Sequence, residues 1–206
     1  IADGKIRLSD FGLDITPQTL RDAISTSSWR KSARGRRALA NLTIVRGPAI
    51  AVRRHTARYE AAVVADVIRE QLLEARVSFS FETVMSHHSK IEFMQRANEA
   101  RYSCYLYYVC TEDPLINAER VKMREQEGGH GVPDEKIGSR YIRSLQLLPQ
   151  AISLSYRAFI FDNSRKTSDS GVDAGDLLFL EYKQGELRQR HRTRLPGWML
   201  KHAPGI

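Results

Sequence analysis

The sequence predicts an α/β protein in which a parallel sheet is flanked by helices and followed by a C-terminal β-hairpin. Two observations carry this. The apolar runs VSFSF (77–81), CYLYYVC (104–110) and RAFIFD (157–162) have strand length, and helical patterns separate them. Strands that alternate with helices imply crossover connections and parallel pairing. Second, LLFLEYK and ELRQRHR surround Gln184-Gly185, which reads as a terminal hairpin.

The opening IADGKIRLSDFGLDI reads as irregular or weakly extended. A helix is expected over 17–26, with Thr16 as N-cap and Pro17 at the first helical position. LTIV and IAV flank RGPA and suggest a short hairpin near 42–53. Val63, Val64, Val67, Ile68, Leu72 and Leu73 recur at helical spacing, so a long amphipathic helix is expected over 57–75. A strand over 77–81 and a helix over 89–101 follow. The continuous apolar run at 104–110 reads as a strand buried on both faces. The next helix spans 113–127, with Asp113 as N-cap and Pro114 at its first position. GGHGVP breaks the pattern, helix returns over 134–148, and the third strand is 157–162. NSRKTSDSGVDAGD (163–176) reads as a polar loop. One domain is expected over 1–206: a basic region at 1–55, a core at 56–164 with a lid at 120–143, then a loop and hairpin at 165–206.

The chain has 206 residues, 32 Lys plus Arg and 24 Asp plus Glu, a formal net charge of +8. The excess is uneven. Nine basic residues and no acid lie between Arg30 and Tyr59, and five more without acid follow from Arg188. Such stretches attract phosphate-rich partners or form solvated surface. No apolar run approaches the ~20 residues that span a bilayer. The two cysteines, Cys104 and Cys110, sit on one expected strand about 20 Å apart at ~3.3 Å per residue. They cannot bridge each other, and a reducing, cytoplasmic setting is expected.

In open parallel sheets, ligands bind beyond the carboxyl ends of the strands. Each expected strand ends in polar residues: Glu82-Thr83, Thr111-Glu112-Asp113 and Asp162-Asn163-Ser164. Asp113 reads as a helix cap. Glu82, directly after an apolar run, has no obvious local partner and reads as a functional acid. The GGHGVP break lies between Arg120 and Arg124 on one helix and Arg140 and Arg143 on the next. A glycine hinge flanked by arginine pairs suits a lid that closes on a polyphosphate. His87, His88 and His130 have no metal-site spacing, and no metal is expected. The chain contains no G-x-x-x-x-G-K-[ST]; its one Gly-Lys pair, Gly4-Lys5, precedes Ile6.

The stretch 59–164 resembles the zeta toxin-like branch of P-loop kinases. FETVMSHHSK, TEDPLINAERVKMR, GGHGVPDEKI, SRYIRSL, LLP and FIFDNS carry the likeness in order, and LSDFGLDITPQTLRDAISTSSW fits the segment after the P-loop in that branch. The resemblance implies a P-loop-kinase-like fold whose first strand, phosphate-binding loop and acidic base are missing from these residues. It implies transfer of a phosphoryl group from ATP, with Mg²⁺, to a sugar nucleotide such as UDP-N-acetylglucosamine, and an antitoxin partner that blocks the ATP site. By the same likeness Glu82 and Thr83 hold the acceptor. Arg120 contacts ATP phosphates, Arg124 and Arg140 belong to the lid, and His130 falls where a second phosphate contact lies. Asn163 approaches the adenine. Three positions depart from the pattern: Gly131 stands in place of aspartate, Gly138 in place of a basic residue, and Arg101 in place of the glycine that would end its helix in a left-handed conformation.

On this reading the 206 residues alone are inactive. Two alternatives remain: a non-catalytic anion- or nucleic-acid-binding module, and a degenerate remnant that folds poorly. Within the kinase reading, neither a nucleic acid nor a membrane is expected as a partner.

Overall fold

In the computed structural model, residues 5–45, 47, 49–52, 58–129, 131–164 and 177–202 are described. The chain divides into two compact units, Ile1–Phe81 and Glu82–Ile206.

The first unit holds β1 (Lys5–Arg7), α1 (Pro17–Thr26), α2 (Ala33–Ala40), β2 (Leu42–Val45), β3 (Ala49–Val52) and α3 (Arg58–Glu74), with 3-10 turns at Leu8–Phe11 and Ser28–Lys31. The Thr16 hydroxyl accepts the Thr19 amide at 3.1 Å and Pro17 opens α1, as its sequence requires. The hairpin forms: β2 and β3 pair antiparallel, and β1 joins the other side of β3, giving the order β1-β3-β2. Ile50, at the centre of β3, is fully buried among Leu8, Leu20, Leu39, Val63 and Val67.

Residues 77–81 form no strand, which corrects the sequence reading. The alternation there serves a different purpose. Val77 and Phe79 turn toward the apolar core of this unit, and the Phe79 and Phe81 rings stack at 6.2 Å. The Arg69 guanidinium lies 4.8 Å over Phe81. A period of two needs only one buried face, and here a helical core supplies it without a partner strand.

The second unit holds α4 (Ser89–Glu99), β4 (Tyr105–Cys110), α5 (Pro114–Gln126), α6 (Asp134–Ser153), β5 (Arg157–Asp162), β6 (Leu178–Lys183), β7 (Glu186–Arg190) and α7 (Gly197–His202). The Asp113 carboxylate caps α5 by accepting the Leu115 amide at 2.8 Å. α4 ends in paired bonds, Tyr102 N–H to the Ala97 carbonyl and Arg101 N–H to that of Asn98. Arg101 itself sits at φ 64, the left-handed geometry expected of it.

The sheet runs β4-β5-β6-β7. β4 and β5 are parallel, with Tyr108 opposite Ile160. β6 and β7 add antiparallel around Gln184 and Gly185, which take φ 52 and 81 as a two-residue hairpin turn demands. The expected C-terminal hairpin thus joins the parallel pair through β6, and the sheet is mixed rather than a parallel sheet with a separate hairpin. Leu145, Leu148, Ala151, Ile160, Phe179 and Trp198 fill the core between the sheet and its helices. β4 is not buried on both faces. It is an edge strand, and Tyr105, Tyr107 and Val109 are 53, 65 and 59% exposed. No helix among the described residues is long and apolar enough to cross a membrane. The loop expected at 163–176 lies outside the described residues from 165 onward.

Candidate functional site

The parallel pair β4/β5 brings two polar clusters to one edge of the sheet. After β4, Thr111 is buried and its hydroxyl donates to the Asp113 carbonyl at 3.1 Å. After β5, the Asn163 amide continues the ladder by donating to the Cys110 carbonyl at 2.7 Å. The Glu112 amide donates to the Ser164 hydroxyl at 2.7 Å, so the two post-strand segments are tied directly. Asp162 accepts both the Ser164 amide (3.2 Å) and the Ser164 hydroxyl. From α6, the Tyr141 hydroxyl donates to the Thr111 carbonyl at 2.8 Å. Burial pushes the phenols of Tyr108 and Tyr141 above their ordinary range, and holds the Cys110 thiol up at about 11.

α5 leaves this edge carrying the arginines. Arg120 is half-buried and donates to the Asn163 carbonyl at 3.0 Å, which locks the helix to the loop after β5. Arg124 is exposed on the next turn, and its carbonyl accepts the Gly129 amide at 2.8 Å. Arg140 is half-buried on α6. Lys122 and Asp134 form a surface ion pair at 3.5 Å between the two helices. α5 and α6 thus lie side by side on either side of the glycine-rich break. His130 lies outside the described residues.

Glu82 and Thr83 open the second unit on an exposed segment before α4. The Thr83 hydroxyl accepts the Met85 amide at 3.1 Å and closes a local turn. The premise that Glu82 ends a strand fails with the strand itself.

One part of the site escaped the sequence reading. A cleft of about 950 Å³ opens beside the strand ends, lined by Glu112 and Asp162 on one side and by His191, Arg192, Arg194 and Gly197 on the other. The segment before α7 is held there because the Glu112 carboxylate accepts the Gly197 amide at 3.1 Å. The basic residues of this segment were visible only as a charged run. A contact 85 residues apart leaves no local trace.

Both carboxylates at the strand ends are thus occupied by internal donors, and Arg192 and Arg194 line the same cleft. Compared with protein-family models, with curated proteins and with solved structures, the chain matches none.

Proposed function

We propose that this chain carries the lid and nucleotide-base side of a zeta toxin-like, ATP-dependent small-molecule kinase that phosphorylates a hydroxyl of a sugar nucleotide such as UDP-N-acetylglucosamine. The observation that carries the reading is the Arg120 bond to the Asn163 carbonyl. It couples the arginine helix to the loop after β5 at the carboxyl end of a parallel pair, where α/β proteins bind ligands.

In this reading ATP, with Mg²⁺, supplies the phosphoryl group. Arg120, Arg124 and Arg140 fit a polyphosphate by charge and by their helices. Their work is to hold its oxygens and to neutralise charge as the phosphoryl group moves. The α5/α6 turn closes over it and excludes water. Asn163 borders the base. Glu82 and Thr83 orient the acceptor. Glu112 and Asp162 are already bonded to protein donors, and no proton transfer is assigned to them. The 206 residues hold no glycine loop for the phosphates, so they are expected to bind nucleotide weakly and to transfer nothing alone.

The free edge of β4 also supports the reading. Among the described residues no strand pairs with its far side; it is uncharged from Tyr105 to Cys110 and would accept the further parallel strand of the kinase fold. An antitoxin that covers the nucleotide site belongs to the same proposal.

Titrating MgATP into the chain while recording amide NMR shifts tests it. Shifts confined to Arg120, Asn163 and their neighbours, and lost in Arg120→Ala, are expected. Saturating nucleotide that leaves these amides unmoved overturns the reading.

A further inference from the structure

The first unit presents a strongly basic helix on a braced frame, and the kinase reading makes no use of it. Arg30 and Lys31 on the 3-10 turn and Arg34, Arg36 and Arg37 on α2 are all exposed. No acidic residue occurs between Arg30 and Tyr59. The buried side of α2 is Gly35, Ala38 and Leu39, so the helix commits one face to the core and offers its arginines on the rest.

Four contacts fix its position. The Ser32 hydroxyl caps it by accepting the Gly35 amide at 3.0 Å. Asn41, directly after it, donates to the buried Glu60 carboxylate at 2.7 Å. Trp29, directly before it, donates its indole N–H to Asp66 at 3.2 Å. Arg34 donates to the Tyr59 hydroxyl at 3.1 Å. Three of these four reach α3. Gly35 allows the closest approach, since a Cβ there would stand 2.0 Å from the Trp29 carbonyl oxygen. These contacts hold α2 in one orientation, which a helix that enters a groove requires.

The helix is seated mainly on the 3-10 turn and on α3. Helix, connector, helix and antiparallel hairpin follow one another, with β1 closing the sheet behind them. Helix-turn-helix proteins read duplex DNA by laying the second such helix in the major groove. A helix with its side chains is about 10–12 Å across, which suits a groove about 12 Å wide.

We propose that Ile1–Phe81 is a duplex-DNA-binding unit whose α2 enters the major groove, with Arg30, Lys31, Arg34, Arg36 and Arg37 on the phosphates and base edges. Nothing in this depends on the proposed kinase site, whose named residues all lie in Glu82–Ile206.

Fluorescence anisotropy of the full chain with a labelled mixed-sequence DNA duplex tests it between 50 and 200 mM salt. Four or five phosphate contacts give log K a slope of about −3.6 to −4.5 against log salt. Lys31→Ala and Arg37→Ala are each expected to weaken binding several-fold and to shrink the slope by about 0.9. Arg37→Lys keeps the slope and shows that the alanine variant did not act by unfolding. Arg188→Ala with Arg190→Ala, in the second unit, leaves duplex affinity unchanged. No duplex binding at 50 mM salt overturns the proposal. So does equal affinity for single-stranded DNA or duplex RNA, or an equal loss from the Arg188/Arg190 pair.

Discussion

Glu112 and Gly197 occupy each other's space: the carboxylate accepts the Gly197 amide at 3.1 Å, and a Cβ on residue 197 would stand 2.3 Å from Oε1. The obstacle is the end of a flexible side chain, so it can swing away, at the cost of that hydrogen bond. Gly197→Ala therefore trades a helix-propensity gain of up to about 1 kcal/mol against a bond worth about the same. In the wild-type background it is expected to be near neutral. In a Glu112→Ala background the same change is expected to stabilise by about 1 kcal/mol, because only the propensity gain remains. Urea unfolding of the four proteins measures this. Additive effects would show that the contact does not hold the 191–197 segment.

Arg101 occupies a left-handed position at φ 64 and closes the paired bonds that end α4. A side chain there costs about 1 kcal/mol relative to glycine. Arg101→Gly is expected to raise the urea midpoint by a corresponding amount with an unchanged m-value. A lower midpoint would mean that the arginine earns its place through contacts that outweigh its backbone strain.

Local signals were legible in the sequence, and long-range ones were not. The caps Thr16 and Asp113 act within three residues, so their type and position sufficed. Gln184-Gly185 determined its hairpin in the same way. VSFSF misled because alternation reports one buried face and says nothing about hydrogen-bonded neighbours; Val77 and Phe79 found a helical core instead. CYLYYVC misled because a continuous apolar run does not tell how many sheet neighbours cover it, and Tyr107 ends 65% exposed on an edge. At the site, the resemblance points to Arg120 and Asn163, and Arg120 donates to the Asn163 carbonyl at 3.0 Å. The bond from Glu112 to Gly197 and the braced basic helix both depend on tertiary contacts that no spacing announces.

Burial raises the Cys110 thiol from 9.0 to about 11. The folded state therefore keeps a proton that the unfolded chain releases between those values. Stability is unaffected below about pH 9 and falls as pH rises toward 11, by up to about 3 kcal/mol from this group at 1.36 kcal/mol per pH unit. Cys110→Ala removes this part of the pH slope, although the cavity lowers stability overall. Urea titrations between pH 7 and 11 measure both slopes. Identical slopes for the two proteins would contradict a thiol buried in its neutral form.

Phosphoryl transfer is the most direct test of the proposed function. The product of the complete reading frame that encodes this chain is incubated with ATP, Mg²⁺ and UDP-N-acetylglucosamine, and the sugar nucleotide is analysed for added phosphate by mass spectrometry. The account predicts a phosphorylated sugar nucleotide, a loss of at least about 100-fold in rate for Arg120→Ala as expected of a transition-state charge contact, and no product from the 206 residues alone. No transfer by the complete product, or full activity in Arg120→Ala, would contradict it.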